Sequence, residues 1–225
     1  MDLLGCSKEG SVDGRHRKAV LRKFGRKSEM DARLDNIMEK IKNGKEFCVY
    51  ESFEAYQYLQ EVASKCAEYN ALDLVTQSKE QLALLKSLFR KTGDFMMVMP
   101  PFHCTIGKGI EVGENFECNG GVMMQDLGGI RIGDNAMIGP GVSFNSSGHV
   151  TDWKRRIEGW SYAHPITIGD NVFIGANSVL CVSQSKGINI GNNVFIGAGS
   201  VVTSDLPDNV LAAGNPCRII RKLEG

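Results

Sequence analysis

Aliphatic residues recur every six positions in the second half of the chain, where they are followed by glycine. Eight hexads carry this pair, and they read IGKGIE at Ile106, VGENFE at Val112, IGDNAM at Ile132, IGPGVS at Ile138, IGDNVF at Ile168, IGANSV at Ile174, IGNNVF at Ile190 and IGAGSV at Ile196. Weaker residues continue the step at positions 118, 124, 144, 180 and 202. Short strands joined by tight corners have this period, because the aliphatic side chain fills the interior while Gly, Asn and Asp accept the positive φ of a corner. The pattern predicts a mainly β fold, a left-handed parallel β-helix over residues 101–223 in which three hexads close one triangular coil.

Two long breaks interrupt the six-residue step, and a solenoid places such extra residues in surface loops, often on its binding face. Between Phe144 and Ile168 the step is 24 residues, and the inserted loop, residues 145–167, contains both tryptophans of the protein. Between Leu180 and Ile190 ten residues replace six. We expect the longer loop to contribute to any binding site.

The first hundred residues lack the hexad period. Residues 1–29 are polar and basic, which predicts a solvated extension; contact with an anionic partner is the alternative, and the sequence leaves open whether this extension is ordered. Residues 30–100 place apolar residues three or four positions apart and predict an N-terminal α-helical cap. Ser52 and Ser78 lie where helix N-caps are expected, and Ser78 with Gln81 resembles a capping box.

Charge and cysteine content narrow the class of protein. The chain balances 26 basic against 26 acidic residues, so its overall charge gives no reason to expect a nucleic acid or a membrane as partner. Its seven cysteines include no C-x-x-C pair, and an odd, scattered set argues against a disulfide framework or a thiolate zinc site. The sequence therefore predicts a cytoplasmic protein that requires no metal.

His149 is the strongest candidate for chemistry among the four histidines. It follows Ser-Ser-Gly where the chain leaves the repeat to form the long loop, and catalytic side chains are common on loops carried by a rigid scaffold. His16 lies in the basic extension, and His103 and His164 lie beside prolines or corners, where packing or surface roles are expected. A zinc hydratase of the carbonic anhydrase type needs three histidines around the metal. The separation of 15 positions between His149 and His164, with a loop between them, disfavours that alternative.

Several longer stretches match a known family when they are considered together. They are GKEF, CAEYN, LLKSLFRKTG, PPFHC, GENFECN, IRIGDNAMIGPGVSFNSSGH, HPITIGDNVFIGANSV and IGAGSVVTSDLPDNVLAAGNPCRIIRKL. Through them residues 44–223, about four-fifths of the chain, resemble the maltose and galactoside O-acetyltransferase family of hexapeptide-repeat proteins. The resemblance implies an acetyl-CoA-dependent O-acetyltransferase that acts as a homotrimer on a hydroxyl of a small molecule, a sugar or a sugar-like compound.

The resemblance also implies roles for individual residues. His149 would be the general base, taking the proton of the acceptor hydroxyl as its oxygen attacks the thioester. Asn119 would supply an amide that helps to position the reacting groups, and it would come from the neighbouring subunit. Coenzyme A would lie between adjacent subunits, with its phosphates at arginines, whose planar fork can bind them in a bidentate way. The implied coenzyme A residues are Phe173, Ala176, Ala198, Thr203, Arg218 and Arg221.

The chain departs from the family pattern mainly where the acceptor is expected to bind. The acceptor positions are Thr105, Glu117 and Asn119, of which Thr105 replaces an acid and Glu117 replaces a tyrosine of the galactoside type. Phe173 stands where many relatives have tryptophan, and Ser161 replaces a frequent glutamate. The acceptor is therefore left open, and two alternatives stand beside a sugar acetyltransferase. One is an acetyltransferase for a non-sugar acceptor, and the other is a β-helix scaffold that has lost catalysis.

Overall fold

The computed structural model describes residue 35, residues 37–48 and residues 52–224 of the 225-residue chain. The predicted basic extension, residues 1–29, lies outside the described residues, and so does His16. Most of the described chain is a β-helix whose three faces are three sheets with parallel strands, which we call sheets I, II and III.

Successive strands of the chain pass from one face of the β-helix to the next. Sheet I contains β2 (Met96–Val98), β5 (Phe116–Cys118), β8 (Met137–Ile138), β13 (Phe173–Ile174), β16 (Phe195–Ile196), β18 (Val210–Ala213) and β19 (Arg218–Lys222), the last antiparallel to β18. Sheet II contains β3 (Phe102–Cys104), β6 (Val122–Gln125), β9 (Ser143–Asn145), β14 (Val179–Cys181) and β17 (Val201–Val202). Sheet III contains β4 (Ile110–Val112), β7 (Ile130–Ile132), β12 (Ile166–Ile168) and β15 (Ile188–Ile190).

Two corners of the β-helix matter for the site. The corner between sheets I and II, edge I/II, consists of residues 99–101, 119–121, 139–142, 175–178 and 197–200. The corner between sheets II and III, edge II/III, consists of residues 105–109, 126–129, 146–165, 182–187 and 203–205. Both breaks in the repeat therefore fall on edge II/III, at 146–165 and 182–187.

The interior of the β-helix is lined by the residues of the hexad pattern. All thirteen positions of the six-residue step named above, eight strong and five weaker, are at most 4% exposed. Equivalent residues stack from coil to coil, as Ile132, Ile168 and Ile190 do in sheet III. Because full burial of an aliphatic side chain contributes about 1.5–3 kcal/mol, these columns form the main apolar core. The predicted fold class, a β-helix of hexapeptide repeats with a helical cap, is confirmed.

The corner between sheets III and I is built from asparagines in the left-handed backbone conformation. Asn115, Asn135, Asn171, Asn193 and Asn209 occupy it with φ between 53° and 58°. Asn115 donates from Nδ2 to Asn135 Oδ1 at 2.9 Å, and Asn135 donates to Asn171 Oδ1 at 3.0 Å. Asparagine tolerates this conformation better than most residues do, and its amide adds a hydrogen bond between coils.

The helical cap contains α1 (Phe53–Ala71) and α2 (Ser78–Leu88), and residues 37–42 are also helical. Ser52 is the N-cap of α1, as predicted, and its Oγ accepts a hydrogen bond from Ala55 N at 3.1 Å. Among the described residues no helix is long and apolar enough to cross a membrane.

The predicted capping box at Ser78 is wrong. Helix α2 begins at Ser78, and its N-cap is Gln77, which makes no side-chain capping bond. Gln81 instead donates from Nε2 to Leu72 O at 3.2 Å. The reason is that the turn between the helices brings Gln81 against the C-terminal end of α1, where unpaired carbonyl groups are available.

The β-helix begins earlier than the hexads indicate. Strand β2 pairs with β5, and Lys91, which precedes β2 in the chain, forms a parallel bridge to Glu111 of β4. Pairing with the β-helix therefore starts at Lys91 and its first strand at Met96, both before the predicted boundary at residue 101. Met96 and Val98 are buried while Met97 is exposed, and this period-two alternation is typical of a strand although the aliphatic-glycine pair is missing.

Helix α1 lies against the first coil. Tyr69 donates from its hydroxyl to Val98 O at 2.5 Å, and burial raises the pKa of Tyr69. Asn70 binds both backbone groups of Phe102, accepting from its N at 2.8 Å and donating to its O at 3.1 Å. These bonds pair backbone groups that a terminal coil would otherwise expose, so the cap protects this end of the solenoid from association with other strands.

A buried carboxylate holds edge II/III where the first two coils meet. Asp126 is fully buried and accepts backbone N–H groups from Thr105 at 2.9 Å, from Ile106 at 2.8 Å and from Gly109 at 3.0 Å. Burial raises the pKa of Asp126, and the three donors act in the opposite direction. The carboxylate thus satisfies backbone donors at a corner where the step from Met124 to Ile132 is eight residues.

Replacing Asp126 with alanine is expected to lower the free energy of unfolding by about 3 kcal/mol, because each buried donor left unpaired costs roughly 1–3 kcal/mol. Denaturant unfolding at a fixed protein concentration measures the change. The matched control is Asp134→Ala, since Asp134 is exposed and accepts Glu114 N at 2.7 Å at a solvated corner. That control should cost less than about 1 kcal/mol. Equal losses in the two variants would contradict the role given to Asp126.

Candidate functional site

The long loop folds into a hairpin that stands on edge II/III. It contains β10 (Ser147–His149), the short helix α3 (Trp153–Ile157) and β11 (Trp160–Ala163). Strand β11 is the central strand of a small antiparallel sheet, with β10 on one side and β1 (Phe47–Cys48) on the other. Strand β1 lies within residues 30–100, the region that the sequence predicts to be a helical cap. It is extended because it pairs with β11 at the edge of the hairpin.

His149 lies at the end of β10 and is exposed. The antiparallel register places it directly opposite Ser161, so the two side chains are on the same side of the sheet. The His149 Nδ1 atom is 3.2 Å from Ser161 Oγ and 3.4 Å from Trp160 O. One ring nitrogen is therefore engaged within the hairpin, while the ring itself remains accessible at the surface.

Gln184, in the shorter break of the repeat, forms hydrogen bonds at the base of the long loop. Gln184 accepts at Oε1 from Thr151 N at 3.0 Å and from Thr151 Oγ1 at 3.1 Å, and it donates from Nε2 to Glu46 Oε1 at 2.8 Å. The Nε2 atom of His164 lies 3.0 Å from Gln184 O. A single glutamine thus joins the long loop, the next coil and the residues before β1.

Arg155 of α3 stabilises the loop through an ion pair and a contact with an aromatic ring. Its Nη2 lies 2.5 Å from Glu46 Oε2, and its guanidinium lies 4.7 Å from the centroid of the Trp160 ring. Arginine can pair with a carboxylate and stack on an aromatic face at the same time. Sequence reasoning missed Glu46, Arg155 and Gln184, although the second break in the repeat was a signal for Gln184.

Asn119 lies on a different edge from His149. It follows β5 on edge I/II, where its backbone N donates to Ile138 O at 2.9 Å and its Nδ2 donates to the same oxygen at 3.2 Å. In every coil a strand of sheet II separates edge I/II from edge II/III. The fold of one chain therefore does not place the two predicted catalytic side chains on one edge.

Three of the predicted coenzyme A residues lie on or beside edge I/II. Ala176 and Ala198 occupy equivalent corners in successive coils, and Gly199 N donates to Ala176 O at 2.8 Å. A Cβ atom added to Gly175 would lie 2.4 Å from Ala198 N, so the backbones approach closely here. Phe173 stacks on the ring of the next coil, Phe195, with centroids 4.6 Å apart. This edge is therefore a narrow strip of backbone bordered by small side chains and two phenyl rings.

The other predicted coenzyme A residues lie elsewhere. Thr203 is exposed on edge II/III, the edge that carries His149. Arg218 and Arg221 are exposed on β19, where Arg221 faces Leu211 across the ladder. The six residues thus fall on two edges, on β13 and on the last strand of sheet I.

The predicted acceptor positions are also divided between the two edges. Thr105 lies on edge II/III, and its backbone N is bound by the buried carboxylate of Asp126. Glu117 lies on the outer face of sheet I, opposite Met97 and Met137, and precedes edge I/II and Asn119. Each chain consequently presents one part of the predicted acceptor site on each edge.

Neither a cluster suited to a metal ion nor a disulfide occurs in the part of the chain that the structure describes. The Sγ atoms of Cys66 and Cys104 are 3.7 Å apart and both are buried, a contact rather than a bond.

Residues 165–204 match the model of a repeat family described as "Hexapeptide repeat of succinyl-transferase". These residues contain the last four aliphatic-glycine hexads and the second break in the repeat.

Whole proteins extend the similarity well beyond the repeats. The chain is 40% identical to the galactoside O-acetyltransferase of Escherichia coli K12 over 148 residues, which cover 66% of this chain and 71% of that protein. The crystal structure of a maltose O-acetyltransferase from Clostridium difficile 630 superposes with a TM-score of 0.78 at 36% identity, covering 84% of this chain and 97% of the other. A hexapeptide-repeat acetyltransferase from Vibrio cholerae, solved with acetyl-CoA, matches with a TM-score of 0.74 at 35% identity, covering 84% and 99%. The chain therefore belongs to the maltose and galactoside O-acetyltransferase family of hexapeptide-repeat acyltransferases.

Proposed function

We propose that the chain transfers the acetyl group of acetyl-CoA to a hydroxyl of a sugar or sugar-like molecule, with His149 as the general base. The observation that carries this proposal is the setting of His149, whose Nδ1 is engaged by Ser161 and Trp160 while the ring is exposed. The free ring nitrogen, Nε2, takes the hydroxyl proton as the acceptor oxygen attacks the thioester carbonyl, and the thiolate of coenzyme A leaves. Asn119 positions the reacting groups, and a backbone N–H stabilises the oxyanion.

The distribution of residues over two edges supports a site shared by two chains. Edge I/II carries Asn119, Ala176 and Ala198, whereas edge II/III carries His149 and Thr203. A head-to-tail ring of chains sets one edge of each β-helix against the other edge of its neighbour. The homotrimer is the ring that we propose, with coenzyme A between adjacent chains.

An exposed apolar face lies beside these edges. Sheet I exposes Met97, Met137 and Phe195 on its outer face. Large apolar side chains that share one face are typical of surfaces buried by a partner or a ligand. Their position supports burial in the trimer and beside the extended arm of coenzyme A.

The charged and polar residues match the two substrates. Arg218 and Arg221 are exposed guanidinium groups, and the phosphates of coenzyme A suit their fork geometry. Thr105 and Glu117 can donate to and accept from the hydroxyl groups of a sugar. The Vibrio cholerae relative was solved with acetyl-CoA, and other relatives are named for galactosides and maltose, which supports this choice of donor and acceptor.

Release of the coenzyme A thiol tests the proposal. The purified protein is supplied with acetyl-CoA and, one at a time, with monosaccharides, galactosides, maltose, an amino sugar and a simple amine. A hydroxyl compound is expected to raise thiol release above the hydrolysis measured without acceptor. Stimulation by amines alone would overturn the hydroxyl acceptor, and failure to bind acetyl-CoA at millimolar concentration would favour the scaffold.

A further inference from the structure

The hydrogen bonds around His149 determine which ring nitrogen carries the proton. Ser161 is 6% exposed and lies on the central strand of the small sheet. Its hydroxyl donates to Gly159 O at 3.2 Å, and a hydroxyl has one proton to give. While that proton is given to Gly159 O, Ser161 Oγ is an acceptor for His149 Nδ1, which is 3.2 Å away.

The second neighbour of Nδ1 leads to the same assignment. Trp160 O lies 3.4 Å from Nδ1, and a carbonyl oxygen can only accept a hydrogen bond. If Nδ1 were unprotonated, its lone pair would face the lone pairs of Trp160 O, and Ser161 would have to withdraw its proton from Gly159 O. Two carbonyl oxygens thus favour a single arrangement, in which the Nδ1–H of His149 donates to Ser161 and Ser161 donates to Gly159.

We infer that Ser161 is a positioning residue that holds His149 in the Nδ1–H tautomer and leaves Nε2 unprotonated. This inference rests on the proposed role of His149 as general base. A neutral imidazole accepts a proton at its unprotonated nitrogen, so the chain from His149 through Ser161 to Gly159 presents the basic atom to the acceptor hydroxyl. The serine does so without placing a negative charge beside the ring.

The contribution of Ser161 is expected to affect turnover and not substrate affinity. Ser161→Ala removes one of the two acceptors of Nδ1–H, and the loss of one such hydrogen bond, about 0.5–1.5 kcal/mol, corresponds to a roughly 3- to 10-fold lower kcat. The KM values for acetyl-CoA and acceptor should stay within about twofold. Ser161→Thr keeps the hydroxyl and should restore kcat.

Ser147→Ala is the matched control for these kinetics. Ser147 lies on the same hairpin, opposite Ala163, and its replacement should leave kcat unchanged. A fall in kcat shared by Ser147→Ala, or unchanged kcat in Ser161→Ala, would overturn the positioning role. Thermal unfolding of each variant identifies a loss that comes from instability.

The tautomer itself can be measured without turnover. In protein labelled with ¹⁵N-histidine, the long-range proton–nitrogen spectrum distinguishes a protonated from an unprotonated ring nitrogen, and the His149→Ala spectrum assigns the signals. The parent is expected to show protonated Nδ1 and unprotonated Nε2 in the neutral ring of His149, and Ser161→Ala is expected to show a mixture of tautomers. A parent spectrum with protonated Nε2 would overturn the inference. Because this readout needs no acceptor, its failure is distinct from a failure of the acetyltransferase assay.

Discussion

Replacing His149 with alanine is expected to lower kcat by about 10²–10⁴-fold, the range that general acid–base catalysis contributes. His149 is exposed at the end of a short strand, so its removal should change the free energy of unfolding by less than about 0.5 kcal/mol. The KM for acetyl-CoA should change little, because the residues proposed to bind coenzyme A do not include His149. Steady-state kinetics with the acceptor found in the thiol assay measure both quantities.

His16, which the sequence does not predict to be part of the site, provides the control. His16→Ala, in the basic extension, should keep the kcat of the parent. The subunit number of the His149 variant should also match the parent in analytical ultracentrifugation. Full activity of His149→Ala would remove the general base from the mechanism and would leave the hairpin with a structural role.

Two inactive variants are expected to restore each other when their chains assemble together. His149 and Asn119 lie on different edges of one β-helix, so in the proposed ring each site would take one of them from each of two chains. Asn119→Ala alone is expected to lower kcat by about 10²-fold, the scale of losing one polar group at the reacting centre. Random one-to-one mixing with His149→Ala chains then leaves about a quarter of the sites with both residues intact. Activity per site should rise to about a quarter of the parent value.

The control for this experiment pairs His149→Ala chains with chains that carry both substitutions. No site in that mixture contains the histidine, so no recovery is expected. The variants are refolded together, and native mass spectrometry verifies that mixed assemblies form. Mixed assemblies without recovery would contradict a site shared between chains and would require both residues to act from one chain.

The hexads make the fold predictable because the same two physical requirements repeat in every coil. Each coil needs an inward aliphatic residue and a corner that accepts positive φ, and these requirements place Ile132, Ile168 and Ile190 in register. The corner asparagines follow the same logic. Where other residues meet these requirements the hexad signal weakens, so the sequence places the strand that begins at Met96 in the cap.

The arrangement around His149 depends on contacts that the sequence does not encode locally. Ser161 meets His149 only because the hairpin closes in one register, and a shift of one residue would turn the serine to the other face. Glu46 meets Arg155 and Gln184 across long separations in the chain. Residue type and position in the loop predicted that His149 is functional, whereas the partners that orient it could be found only from the fold.

The identity of the reaction product is the most direct test of acetyl transfer to a sugar oxygen with His149 as the base. After incubation with labelled acetyl-CoA and the stimulating sugar, mass spectrometry and NMR of the sugar locate the label. One labelled acetyl group is expected in an ester with a sugar oxygen, formed by the parent and almost absent with His149→Ala. Free labelled acetate with unmodified sugar, or the same ester formed at the same rate by His149→Ala, would contradict this mechanism.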